Sequence, residues 1–79
     1  MKSKWLLFVY VGATKSKLYV HSLRGTSNIL WATEMDRDCA DVIQGTEKAK
    51  RWAALISMMG YGSVWRENLE TESTVLDTQ

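Results

Sequence analysis

Proline is absent from this 79-residue chain, and cysteine, histidine and phenylalanine occur once each. With Cys39 alone, no internal disulfide and no cysteine cage for zinc can form. Asp36, Asp38 and Asp41 surround that cysteine in sequence. Such an acidic setting disfavours a thiolate, so Cys39 is expected as a small, partly buried hydrophobe. A chain without disulfides fits a reducing compartment. His21 is the sole histidine, in an expected strand that also holds Leu18, Val20 and Leu23. A general base needs an orienting acid and a nucleophile within reach, and no G-x-S-x-G motif supplies them. His21 is expected to be structural or simply exposed.

Long apolar runs are also missing. The longest, residues 5–11, is far short of the about 20 residues needed to span a bilayer. Lys2 and Lys4 precede it and Gly12-Ala13 follow, which outlines a signal peptide. The run is too short for one and contains Trp5 and Tyr10, so the cytoplasm is the expected location. There is no internal repeat and no low-complexity segment. Net charge is only +1. Its distribution is less even: residues 1–24 hold five bases and no acid, while residues 25–79 hold five bases against nine acids. That asymmetry points toward a charged partner.

What the chain does have is apolar bulk. Hydrophobic residues make up 46%, including Trp5, Trp31, Trp52 and Trp65. Tryptophan buries much area per residue, enough for one small domain to fold unaided. Residues 5–11 read as a strand whose two alternating sets, Trp5/Leu7/Val9/Val11 and Leu6/Phe8/Tyr10, are both apolar. A strand of that kind is covered on both faces and belongs at the centre of a sheet. Residues 17–23 and 29–35 give two more strands, joined by short turns that favour an antiparallel meander. In the third strand, Ile29, Trp31, Thr33 and Met35 share a face.

A helix is expected over residues 47–59, with Thr46 as N-cap and Gly60 as the stop. Ala49, Trp52, Ala53, Ile56 and Met59 fall on one face at about 100° per residue, which makes it the core face. Residues 63–69 form a closing strand. The fold class is therefore α+β with order βββαβ, the helix packed on one sheet face. Residues 1–69 make the single domain, and residues 70–79 a flexible acidic tail.

Candidate sites come from charge. Lys48, Lys50 and Arg51 crowd the first half of the helix, where the macrodipole disfavours cations by about 0.3–1 kcal/mol each. Glu47 can offset part of this by pairing with Arg51. Leu55 and Met58 fall beside these bases, away from the core face. Lys48, Lys50, Arg51, Leu55 and Met58 thus form the leading partner-binding strip. Glu34, Asp36 and Asp38 form a second candidate patch. Counted from Asp36, that segment has Ala40 and Asp41 where a calcium loop wants an oxygen ligand and a glycine, so no metal is expected. Lys15, Lys17, Tyr19 and Arg24 place basic and aromatic groups on one hairpin, a candidate nucleic-acid surface. Gly60-Tyr61-Gly62 follows a helix where a phosphate cradle precedes one, and reads as a turn.

The segment Ala40-Asp41-Val42-Ile43-Gln44-Gly45-Thr46-Glu47-Lys48-Ala49 resembles a pattern in tiny phage-encoded α/β proteins. In these, an apolar pair and a cap precede an E-x-A helix, and a last strand follows. The layout over residues 4–69 is similar to several anti-CRISPR and other host-takeover proteins. That class has no shared active site, so the resemblance carries over no functional residue. It implies stoichiometric binding that blocks a host protein; the expected partner is a host protein or ribonucleoprotein, and the chain is expected to act as a monomer or small homo-oligomer without cofactor. The expected function is non-enzymatic binding, with a small nucleic-acid-binding accessory protein as the alternative.

Overall fold

The computed structural model describes residues 3–13, 16–24 and 28–77, with the side chains of residues 22–24 and 28 outside that description. β1 (Lys4–Val11) is buried continuously from Trp5 to Val9. Its Trp5 pairs with both Ile43 and Asn68, and its Phe8 with both Tyr19 and Trp65. Both edges of β1 are therefore hydrogen-bonded, as its doubly apolar sequence requires. β2 (Ser16–Arg24) and β4 (Ile43–Gln44) lie along one edge, and β5 (Trp65–Asn68) along the other. β3 (Asn28–Thr33) flanks β2, and β6 (Thr74–Leu76) flanks β5. All pairings are antiparallel, giving a six-stranded sheet.

The expected order βββαβ and its strand bounds are corrected. β4 precedes the helix, so α1 (Thr46–Ile56) follows four strands and comes before two more. The third strand stops at Thr33, and Glu34–Cys39 turn into a 3₁₀ segment kinked at Asp36. Met35, expected to continue the strand face, stands 96% exposed in that segment. Residues 74–76, expected in a loose tail, form β6. Its register on β5 is Trp65↔Leu76, Arg66↔Val75 and Glu67↔Thr74. The closing strand itself shortens to Trp65–Asn68.

Gly45, with φ 99°, stands at the cap position in place of Thr46. The Thr46 hydroxyl instead accepts a hydrogen bond from the Trp5 indole at 3.2 Å. α1 ends at Ile56 and passes into a π-helical turn, Ser57–Tyr61. Gly60 there takes φ 98° and ψ 11°, the left-handed conformation that only glycine adopts without strain.

α1 packs on one sheet face through Ala49, Ala53 and Ile56, all fully buried against Trp5, Leu7, Val9, Val20 and Val64. The two alanines let the helix approach closely, and burying a side chain such as Ile56 contributes about 1.5–3 kcal/mol. Trp31, Trp52 and Met59 lean against the rim of this cluster, half-buried. Trp65 lies on the other face, with Leu6, Phe8, Tyr19, Ala32 and Ala40. The 3₁₀ segment covers part of that second face, tied to β2 by the Asp41 amide donating to the Val20 carbonyl at 3.0 Å.

Candidate interaction surface

α1 turns the side away from the sheet to solvent. Lys48, Arg51, Trp52 and Leu55 line a groove of about 320 Å³ there. The spacing i, i+3, i+4, i+7 brings these four side chains to one stripe. Its floor is the half-buried Trp52 ring and the partly exposed Leu55, and its rim is the two cations. Neither Lys48 nor Arg51 has an ion-pair or hydrogen-bond partner among the described residues, so the expected Glu47–Arg51 pair does not form. Met58 stands outside the groove, 82% exposed in the π-helical turn. Lys50 points elsewhere: its charge acts on the Asp77 carboxylate. The structure therefore brings together Lys48, Arg51 and Leu55, adds Trp52, and separates Lys50.

The acidic candidates sit on the opposite side of the sheet. Glu34, Asp36 and Asp38 are all exposed along the 3₁₀ segment. Asp36 accepts from the Thr33 hydroxyl at 3.4 Å. Arg37, between them, turns inward instead. Its guanidinium donates to Glu67 through both Nε (2.9 Å) and Nη2. Cys39 is exposed, correcting the expectation of a partly buried hydrophobe.

The basic hairpin is largely committed to internal contacts. Lys15 lies outside the described residues, as does the Arg24 side chain. Lys17 reaches Glu67 at 3.6 Å and caps the Phe8 ring at 4.7 Å. Tyr19 is 3% exposed, so it offers no ring face for a base to stack on. Its hydroxyl donates to Glu67 Oε1 at 3.0 Å. Burial, with the neighbouring Glu67 carboxylate, pushes the Tyr19 phenol up to about 12. The Glu67 bonds hold the Arg37 guanidinium above its ordinary value. His21 is half-buried.

A second buried ion pair closes the other end. Arg66 lies over the Trp5 ring at 4.3 Å, and its Nε is 3.1 Å from Asp77 Oδ2, without an aligned hydrogen bond. Burial raises the Asp77 carboxyl above the usual carboxylate range, opposed by the charges of Arg66 and Lys50. Glu67 and the Arg66–Asp77 pair escaped the sequence reading. Each partner lies far along the chain or on a different element, and no local spacing marks such contacts.

Among the described residues no group of three or more His, Cys, Asp or Glu is placed to hold a metal, and no helix is long and apolar enough to cross a membrane. Comparison with protein families, curated proteins and solved structures returns no match for this chain.

Proposed function

We propose that this chain is a non-enzymatic binding protein whose recognition surface is the solvent-facing groove of α1. The observation that supports this reading is the pairing of an apolar floor, Trp52 and Leu55, with two cations, Lys48 and Arg51, that have no ion-pair partner among the described residues. Cations in the first turns of a helix work against its dipole, so the fold gains nothing from them there. A cationic rim around an apolar floor suits an acidic, partly apolar surface on a protein or ribonucleoprotein. The mode of action is stoichiometric blocking, the one implied by the likeness to host-takeover proteins. Lys17 and Tyr19 are engaged with Glu67, which favours the groove over the hairpin as the contact surface.

The test is affinity capture from host lysate, with and without nuclease, using wild type and two charge-reversal variants. Lys48→Glu with Arg51→Glu should lose the captured partner while the thermal melt stays nearly unchanged, because both side chains are exposed. Asp36→Lys with Asp38→Lys should retain it. The reverse pattern would move the surface to the 3₁₀ segment. Capture abolished by nuclease alone would favour nucleic acid as the ligand.

A further inference from the structure

The 3₁₀ segment and the α1 groove are complementary in charge, and each carries an exposed apolar centre. Met35 is 96% exposed, the highest exposure among the exposed large hydrophobic side chains of the described residues, and forms an apolar knob. Exposed carboxylates flank it at Glu34, Asp36 and Asp38. The one cation of that segment, Arg37, is withdrawn into its bonds with Glu67, so the segment itself supplies no counter-charge for the three acids. The groove has the inverse character: apolar floor, cationic rim, and about 320 Å³ of space. A flexible thioether adapts well to a pocket floored by an indole and a leucine.

Knob and groove cannot meet within one chain. α1 packs on the face that includes Leu7, Val9 and Val20. The 3₁₀ segment packs on the opposite face, through Ala40 against Leu6 and Phe8 and through Arg37 against Glu67. The sheet stands between them.

We infer that the groove's resident occupant is the 3₁₀ knob of a second copy of this chain, so that the protein self-associates head to tail. Met35 seats on Trp52 and Leu55, while the flanking carboxylates face Lys48 and Arg51. The two surfaces differ, so the contact is heterologous and propagates into a ring or an open chain instead of closing as a two-fold dimer. A single knob buries far less than a standard interface, so association is weak and depends on concentration. Exposed ion pairs at its rim make it weaken with salt. The inference concerns the groove of the proposed function, where a second copy competes with any acidic partner.

Sedimentation equilibrium from low micromolar to millimolar protein tests this. In low salt the average mass of the wild type should rise with concentration, and half-molar salt should weaken the association at least tenfold. Leu55→Glu spoils the groove and leaves the knob. Met35→Glu spoils the knob and leaves the groove. Each variant alone should stay monomeric, and an equimolar mixture should form a dimer that grows no further, because only one native contact remains. Lys48→Glu with Arg51→Glu serves in place of Leu55→Glu should that variant melt early. A wild type that stays monomeric throughout, or a mixture that does not dimerise, would overturn the inference. A monomeric wild type whose captured partner is still lost on Lys48→Glu with Arg51→Glu overturns self-association and leaves the groove's binding function standing. A chain that assembles as described but captures no partner supports self-association and removes the other reading.

Discussion

Glu67 is met by three side chains from two segments: the Tyr19 hydroxyl and, by charge, Lys17 on β2, and the Arg37 guanidinium on the 3₁₀ segment. A buried carboxylate is costly unless its lone pairs are filled, and here both oxygens are occupied. The Tyr19 hydroxyl is therefore held as a donor, which its raised pKa of about 12 expresses. Because the folded value lies above the unfolded one, this group stabilises the fold fully below about pH 10 and progressively less as pH rises toward 12. The difference amounts to about 2–3 kcal/mol. Ultraviolet titration should place one tyrosinate step near pH 12, and Tyr19→Phe should remove that step together with part of the alkaline loss of stability. A variant with an unchanged titration curve would mean that the network is not formed in solution.

At the scale of elements, β6 shows how a short strand is recruited without a strong local pattern. Thr74, Val75 and Leu76 alternate weakly and stand among hydroxyls and acids. What holds them is remote: the Arg66–Asp77 pair and the Asp77 amide donating to the Val64 carbonyl at 3.0 Å. Deleting residues 71–79 should leave Arg66 buried beneath Trp5 without its counter-charge, at a cost on the order of 3–5 kcal/mol. A thermal melt reads this directly, and an unchanged melt would show that β6 contributes nothing. The same contrast explains what the sequence made legible. β1 was readable because both alternating sets are apolar, and the α1 core face because Ala49, Ala53 and Ile56 recur at helical spacing. The stripe of Lys48, Arg51 and Leu55 follows from that periodicity, and Trp52, on the core side by the same periodicity, is partly buried against the core cluster while also lining the groove. β4 was hidden by its two-residue length, and β6 by its dependence on Arg66. The 3₁₀ segment was hidden because Met35 completes an apparent strand alternation that the exposed carboxylates around it then break.

Across the whole molecule, β1 has strand neighbours on both edges, β2 and β4 on one and β5 on the other, and contributes buried apolar residues to the clusters on both faces. Opening free energies follow such contacts, so the amides of residues 6–9 should exchange with solvent only through global unfolding, while those of β6 should exchange through a cheaper local opening. Native-state hydrogen exchange at rising denaturant would separate the two. Equal protection at both places would mean that the sheet opens as one unit. The position of β1 also has a consequence in time. During synthesis Phe8 emerges long before its neighbour Trp65. At about 5–20 residues per second, the 57 residues separating them take about 3–11 s to make. For that interval the most apolar strand of the protein lacks its second neighbour, and for most of it the helix that covers one face is also incomplete. The nascent meander then presents two greasy faces and an unpaired edge, the kind of surface that a ribosome-associated chaperone shields. Expression yield should therefore respond to holdase supply more than the stability of the finished domain would suggest.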